Sequence, residues 1–281
     1  MERVWAIFES LMWRDGEATL YGLVGIAVLT LAEQVWPAEP DQSVRGRLRN
    51  LVFLVQFKVL GIGALAFWYA YAPAIPVVRV SLDPAWASLA VVANLIAADL
   101  CYYAYHRAQH RFGWLWAIHE LHHADAELNA TSSYRTYWLE APAQTILVVT
   151  PTVLLFGGLG PDHARMVVTI SLFFLIFSHA NLRLELGPLT DWVLGPQVHR
   201  VHHSREGVHR DRNFAQAFPF LDRLFGTYYR PGPGEFPPTG AEHLASDASL
   251  LTAMLQPFRI WAGWQPPVAR GQSEGAGDAQ S

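Results

Sequence analysis

The chain has 281 residues, of which 52% are hydrophobic and only 16% are charged. Soluble domains carry about 25% charged residues, so this composition argues against a soluble protein. The net charge of −4 gives no reason to expect nucleic acid as a partner. The single cysteine, Cys101, excludes an intrachain disulfide and a cysteine-based metal site.

The first predicted element is an interfacial helix at residues 1–17. Its sequence lacks the basic start, apolar core and small-residue cleavage site of a signal peptide. Aromatic and aliphatic residues alternate with charged ones, which is typical of an amphipathic helix lying on a membrane surface.

Apolar segments of membrane length follow. A segment of about 19 residues spans nearly the whole hydrocarbon core. The last two segments are short and separated by a glycine-rich turn, so they predict a helical hairpin. The segments are residues 18–36, 51–72, 86–105, 141–160 and 164–178.

These segments predict an all-α fold, a polytopic membrane helical bundle with four to five membrane-crossing or hairpin helices. The membrane-embedded domain covers residues 18–262. The polar, glycine-rich residues 263–281 predict a disordered tail.

The arginines predict the orientation of the bundle. Arg45, Arg47 and Arg49 fall in one short loop, whereas the loop on the opposite side carries Arg79. The positive-inside rule makes the arginine-rich side cytoplasmic. Because arginine greatly outnumbers lysine, we predict an integral protein of a bacterial inner membrane.

Histidines cluster on the predicted cytoplasmic side, in a helical cap. The stretches HRAQH (106–110), HELHH (119–123) and HRVHH (199–203) each place their histidines three or four positions apart, on one helix face. Neutral, unpaired imidazoles would carry a desolvation cost, and protonated ones would repel each other. The clusters therefore predict metal ligation by His106, His110, His119, His122, His123, His199, His202 and His203.

Spacing alone does not select the metal. The histidines are numerous enough for two ions, and imidazole suits zinc, copper, iron and nickel.

The order of these motifs resembles the fatty acid hydroxylase/sterol desaturase superfamily. The similarity runs from about Asp99 to Tyr228 and includes FSHANLRLELGPL (177–189) and the ending DRLFGTY (222–228). Many members carry a further histidine after the second motif, where this chain has Thr136–Leu139. That departure disfavours a sterol desaturase.

The resemblance implies two iron ions, O2 as co-substrate and external electrons from a separate ferredoxin- or cytochrome-type partner. It implies hydroxylation of an unactivated C–H bond in a lipid drawn from the bilayer: a fatty acyl lipid, ether lipid, sterol or carotenoid. The eight histidines would be metal ligands and catalytic residues, and His179 would be a ninth ligand.

A further set of residues is predicted to support the ligands, since metal-bound imidazoles donate their other N–H to a carboxylate or carbonyl. Asp99 lies two turns before His106 on the same helix face. Asp222 has an alternative as a surface ion pair with Arg223 or Arg230, and Asn181 has one as a helix cap. The full set is Asp99, Arg135, Glu140, Asn181, Asn213 and Asp222.

Other polar residues are expected outside the site. Glu120 and Asp125 are predicted to be solvated, and His163, His209 and His243 to be surface histidines. An arginine-rich face is predicted to suit an acidic electron donor; it comprises Arg200, Arg205, Arg210 and Arg212.

Two alternatives remain open from the sequence. A lipid or sterol desaturase would use the same scaffold, and product analysis would distinguish it. A non-redox, histidine-rich metal-binding or transport protein would instead need ligands near the middle of the membrane.

Overall fold

The computed structural model describes residues 1–71 and 83–264, and within these ranges the chain is helical, without a β-strand. A π-helical turn, Phe57–Gly61, joins the second helix to the third, and another, Thr145–Val149, joins the sixth to the seventh. The helices are α1 (Glu2–Val35), α2 (Val44–Gln56), α3 (Ile62–Tyr71), α4 (Ala87–Arg111), α5 (Gly113–His123), α6 (Glu140–Gln144), α7 (Thr150–Phe156), α8 (Pro161–His179), α9 (Pro196–His202), α10 (Phe220–Phe225) and α11 (Leu250–Trp261).

Five helical segments are long and apolar enough to cross a membrane, judged by length and composition. They are Glu2–Val35, Val44–Tyr71, Ala87–Arg111, Glu140–Leu159 and Pro161–His179. The prediction of an all-α polytopic bundle is confirmed, and each predicted apolar segment lies inside one of these helices to within one residue at each end.

The structure describes the beginning of the chain, but the described residues end at residue 264. α1 runs without a break through residue 17, so the predicted division into an interfacial helix and a first span has no counterpart as a helix boundary. With a rise of 1.5 Å per residue, α1 is about 50 Å long and exceeds the hydrocarbon core. Arg79 and the predicted tail from residue 265 onward lie outside the described residues.

Local sequence explains the main changes of direction. Phe112 has an extended backbone (φ −111°), which ends α4 and lets α5 fold back against it. Gly160 adopts φ 92° before Pro161 starts α8, which makes the tight turn of the hairpin. A side chain at Gly160 would be strained at that φ.

The helices outside the five spans form a cap of residues 113–139 and 180–264. α5 and α11 pack over Phe53 and Tyr137 in one apolar cluster. A second cluster joins α1 and α8 to the short helix Ala130–Tyr134. The cap is thus attached to the spans at the ends of α2, α4 and α8.

Glu33, near the end of α1, ties the first span to the cap. One carboxylate oxygen accepts hydrogen bonds from the backbone N–H of Ala130 and Asn181, both at 2.8 Å. The other accepts from the Arg47 guanidinium at 2.6 Å, and Glu33 is 2% exposed. Asn181 follows the end of α8 by two residues, so this carboxylate fixes the position of that helix end.

Glu33→Leu should destabilise the protein strongly, because it removes the carboxylate partner of Arg47 and leaves two buried N–H groups without an acceptor. Breaking one side of a buried ion pair costs about 3–5 kcal/mol. Thermal unfolding in detergent should show a markedly lower midpoint for Glu33→Leu, and an unchanged one for Glu9→Leu on the exposed part of α1. Equal midpoints for the two variants would contradict this role.

Candidate metal centre

The ends of four helices bring all nine predicted histidines together. The last turns of α4 and α5, the end of α8, and α9 meet beneath the cap. The side chains form two groups, and within each group one ring nitrogen per residue lies within 4.8 Å of all the others. The first group is His106, His110, His119, His123 and His202, and the second is His122, His179, His199 and His203.

The second and third motifs each contribute to both groups, whereas His106 and His110 of the first motif both belong to the first group. In α5, His119 and His123 face the first group and His122 faces the second. In α9, His202 joins the first group, and His199 and His203 join the second. The rings of His123 and His203 stack at 4.4 Å between centroids, so the two groups are direct neighbours.

The Nε2 atoms of the rings point at one another. His123 Nε2 lies 3.2 Å from Nε2 of both His110 and His119. In the second group, His179 Nε2 lies 3.1 Å from Nε2 of His122 and of His199. Two nitrogens bound to one ion at about 2.1 Å lie about 3.0 Å apart at a right angle and about 3.4 Å apart at a tetrahedral angle, so these separations fit shared ions.

Several of the Nδ1 atoms point outward, to acceptors that determine the tautomer. The Nδ1–H of His106 donates to the Phe214 carbonyl at 2.8 Å. The Nδ1–H of His202 donates to the Arg212 carbonyl, also at 2.8 Å. His179 donates to the Leu175 carbonyl at 2.7 Å. A neutral imidazole has one N–H, so Nε2 of these rings carries a lone pair that faces inward.

Several of the inward lone pairs are buried without a hydrogen-bond donor among the described residues, including Nε2 of His106 and His202. Converging lone pairs in a buried site repel one another, and a cation at their centre removes that repulsion. The donor set, all imidazole, fits a transition-metal ion rather than magnesium or calcium. The residues present therefore fit two neighbouring metal ions.

Burial keeps the cap histidines neutral. Desolvation, reinforced by neighbouring imidazoles, holds the pKa of His119, His123 and His203 well below the ordinary value of 6.5. The same two causes act on the pKa of His199 and His122. Neutral imidazole is the form that binds metal.

Glu140, a predicted supporting residue, lies at the first turn of α6 and accepts the Nδ1–H of His119 at 2.9 Å. Its second oxygen accepts from the hydroxyl of Tyr105 and from the amide of Gln144, both at 3.3 Å. Glu140 is 2% exposed. A carboxylate placed here orients the His119 ring and strengthens its basicity.

Asp99 and Asp222 hold one loop from two sides. Asp99 accepts the backbone N–H of Gln216, Ala217 and Phe218 at 2.6 to 3.0 Å. Asp222 accepts the N–H of Phe214 at 2.7 Å and is fully buried. Because the Phe214 carbonyl receives His106, both carboxylates act on that ligand through the loop. The alternative of a surface ion pair for Asp222 is wrong.

Arg135 and Asn213 also support the site through the backbone. Arg135 is 1% exposed and donates to the carbonyl of Leu121, within the α5 motif, at 3.1 Å. Asn213 adopts φ 58° and bonds the backbone of Tyr229 with both its side-chain oxygen and its amide.

Asn181 has a different partner from the predicted one. Its side chain accepts from the Glu39 backbone N–H at 3.0 Å and donates to the Glu39 carbonyl at 2.7 Å. It therefore ties the segment after α1 to the segment after α8, and neither of these contacts reaches a ligand. A local helix-cap pattern and this long-range contact cannot be told apart from sequence.

Four expectations about solvated groups are wrong. Glu120 and Asp125 are each 1% exposed; Glu120 accepts from Gln256, and Asp125 from Asn50 and Ser132. His209 is buried between Ser204 and Glu235. Arg200 is 3% exposed and pairs with Glu39 at 2.5 Å, so it is absent from any docking face. All four lie in the cap, whose folding over the ligands the apolar pattern did not reveal.

Sequence reasoning missed Tyr105, Asp211 and the carbonyl acceptors. Asp211 Oδ1 lies 3.5 Å from His110 Nδ1, and its backbone has φ 59°. Carbonyls of Leu175, Arg212 and Phe214 carry no side-chain signature. Tyr105 directly precedes His106. Its role depends on the contact of its hydroxyl with Glu140, which lies on another helix, so the sequence around Tyr105 does not indicate it.

Comparison with known proteins supports the resemblance carried by the motifs. The profile of the fatty acid hydroxylase family matches residues 91–227, which contain all nine histidines. The predicted resemblance of this part of the chain to the fatty acid hydroxylase superfamily is thereby confirmed. No solved structure matches the chain.

Three relatives illustrate the range of the similarity. Alkylglycerol monooxygenase of Danio rerio is 31% identical over 47% of this chain and 29% of its own length. Ornithine lipid hydroxylase OlsE of Rhizobium tropici is 28% identical over 50% of this chain and 42% of its own. Fatty acid hydroxylase vlmA of a Lecanicillium species is 27% identical over 72% of this chain and 61% of its own. The matches thus span less than two thirds of these relatives.

The buried histidines give the metal-free protein a defined pH dependence. Their pKa values are lower in the folded state than the ordinary 6.5, so the unfolded state binds more protons below that pH. Stability is therefore fully present above about pH 6.5 and falls as the pH drops below it. Thermal unfolding of metal-free protein between pH 5 and 8 should show this loss.

His203→Gln should make the loss shallower, because glutamine does not titrate. The control is His243→Gln, at a half-buried histidine outside both groups, which should keep the wild-type slope. A wild-type slope in His203→Gln would contradict the assignment.

Proposed function

We propose that this protein is a membrane-bound, O2-dependent di-iron oxygenase that hydroxylates an unactivated C–H bond of a lipid. The observation that carries the proposal is the pair of adjacent all-histidine groups at the inner end of a membrane cavity. The similarity to monooxygenases and hydroxylases named for alkylglycerol, ornithine lipid and fatty acid supports it.

Two iron ions would be held by the two histidine groups, five imidazoles for one and four for the other. When bound, they would supply O2 activation: with two electrons from a separate protein and two protons, one oxygen atom would enter the C–H bond to give C–OH and the other would leave as water. The rest of the chemistry depends on how the chain positions the lipid and the ligands.

A cavity of about 380 Å³ lies between α4, α7 and α8, the same helices that span the membrane. Most of its lining is aliphatic, with Leu95, Val149 and Val167 as examples. A site of this size and character suits an alkyl chain. Because the walls are membrane helices, a lipid tail would enter from the bilayer.

A second, smaller space of about 90 Å³ continues from the first toward the metal ligands. The two share Tyr102, Gln144, Leu175 and Gln216 as lining residues, and the smaller one is lined by His119 and His122, one from each group. The path thus narrows from the apolar cavity into a chamber beside both proposed ions. Tyr134 also lines this chamber.

Two features of the chamber would help the reaction. Glu140 and Gln144 line it beside His119, so a carboxylate and an amide flank the position where a C–H bond would react. The chamber is narrow and enclosed by side chains, which limits the access of water.

Electrons would reach the histidine groups from the side that faces away from the membrane cavity. A cavity of about 320 Å³ opens there onto His110, His123 and His202. Trp116 lies at its edge, with its ring 5.0 Å from the His110 ring. Arg205 and Arg210 border it together with acidic residues, so the charge at this mouth is mixed. We propose that a ferredoxin- or cytochrome-type donor docks at this opening and that the face is cytoplasmic.

The direct test of the proposal is metal content and product analysis. Protein purified from iron-57-fed cells should contain about two irons per chain with a coupled diferric Mössbauer signal. Lipid extracts from expressing cells should contain a new hydroxylated lipid. Zinc in place of iron would remove the redox proposal, and a new double bond in place of a hydroxyl would favour the desaturase.

Disrupting one histidine group should remove one iron. The double variant His199→Ala/His203→Ala deletes two of the four ligands of the second group, whereas the first group keeps all five. Iron should fall from about two to about one per chain, and hydroxylation should be lost. The control His243→Gln should keep both. Loss of both ions, or of neither, would contradict two separately held irons.

Filling the membrane cavity should block the substrate without affecting the metals. Ala98 lines the cavity on α4, and Ala93 lies exposed on the same helix. Ala98→Phe should lower turnover of a long-chain lipid at least about tenfold, since overpacking displaces the chain. Iron content should stay the same, and Ala93→Phe should behave as wild type. Equal turnover in the two variants would place the substrate elsewhere.

A further inference from the structure

The large membrane cavity has a polar end. Away from the histidines it is bounded by Asn94 on α4 and His163 on α8. Asn94 precedes His106 by twelve positions on α4, which corresponds to about 18 Å along the helix. His163 was predicted as a surface residue, and it is half-buried and lines the cavity.

The two side chains form a single unit. Asn94 Nδ2 lies 3.1 Å from His163 Nε2, and the His163 ring stacks on Phe156 at 6.4 Å between centroids. Asn94 is 7% exposed. The stacking and the hydrogen bond together fix the orientation of both side chains.

One polar atom of this unit has no partner. Asn94 Oδ1 is buried and accepts no hydrogen bond from any described residue. Turning the amide over would exchange the two atoms and leave Nδ2 unpartnered instead. Within a membrane, such an atom costs free energy because no water replaces the missing bond.

A structural hydrogen bond between α4 and α8 does not by itself explain why an asparagine occupies position 94. Joining α4 to α8 requires only the contact with His163, and a smaller residue would make the junction without leaving an unsatisfied atom. An amide with a free acceptor at the end of an apolar cavity is instead complementary to a molecule that is apolar along its length and has a hydrogen-bond donor at its end.

We infer that Asn94 and His163 form a binding subsite for the hydroxyl or amide N–H group of a long-chain lipid. The inference rests on the proposed function and specifies its substrate class. The polar group lies at Asn94, and the alkyl chain extends along the cavity toward the chamber beside His119 and His122.

This placement sets the position that is oxidised. A chain anchored at Asn94 must cover about 18 Å to reach the level of His106. With C–C bonds of about 1.5 Å in a zigzag, this is on the order of 14 methylene groups. The oxidised carbon is therefore selected by its distance from the polar end.

The test compares hexadecan-1-ol with hexadecane on the full-length, metal-free protein in detergent. Each compound competes with a photoreactive hexadecyl diazirine, and labelling of cavity-lining peptides is read by mass spectrometry. The quantity compared is the ratio of the protecting concentrations of alkane and alcohol. Each compound partitions into the detergent micelles to the same extent in every experiment, so this effect cancels when the ratio is compared between variants.

In Asn94→Leu the ratio should fall about fivefold relative to wild type, which is the effect of one hydrogen bond. His163→Phe, on the facing helix, should give the same direction and guards against misfolding of a single variant. Ala93→Leu, at the neighbouring lipid-facing position, should keep the wild-type ratio.

An unchanged ratio in both subsite variants, with hexadecane still protecting, would overturn the inference and leave the pair as a bond between helices. Absence of protection by either compound in wild type would overturn it as well. Because the assay needs no metal and no turnover, a zinc-containing or metal-free native protein would reject the proposed function and leave the subsite standing.

Discussion

The convergence of nine neutral imidazoles on two points is the constraint around which the rest of the molecule is arranged. Each Nδ1–H that donates outward leaves an Nε2 lone pair pointing inward, where lone pairs from His106, His202 and their neighbours repel one another. Cations at the two centres would remove this repulsion, and acceptors outside the rings hold the imidazoles in place. The fold supplies these acceptors from α6, from α8 and from the loop that contains Arg212 and Phe214.

The supporting polar network explains why charged residues are buried in and beside the spans. Asp99 lies in α4 at the level of the cavity, yet its carboxylate serves three backbone N–H groups of the loop that receives His106. Glu33 does the same for the turn after α8, next to His179. A carboxylate within a membrane segment is expensive unless it has partners. Here the partners of Asp99, and Asn181 among those of Glu33, belong to segments next to the clustered histidines.

The sequence predicted the spans and the clustering of the nine histidines well because both signals are local. The apolarity of a segment indicates by itself that the segment can lie in lipid. Histidines four positions apart on a helix, such as His106 and His110, share one face regardless of the tertiary structure around them. Asp222 and Glu140 were found as supporting residues for the same reason, since carboxylates near ligands have few other uses. The burial of Glu120, Asp125, His209 and Arg200 depends instead on how the cap packs over α5 and α9. That packing joins residues more than a hundred positions apart, as in the bond from Gln256 to Glu120, and no periodicity encodes it.

The same distinction applies to His163. Read alone it resembled a surface histidine beside a turn, because its sequence neighbours are polar. Its partner Asn94 belongs to a different helix, and the cavity that joins them exists only in the packed bundle. The clustered histidines determine what chemistry the site can perform, and their motifs can be recognised in the amino-acid sequence alone. The choice of substrate depends on the length of a cavity and the group at its end, which are properties of three helices together. In a family with shared ligands, differences in substrate should therefore arise at positions such as Asn94 and His163 rather than in the histidine motifs.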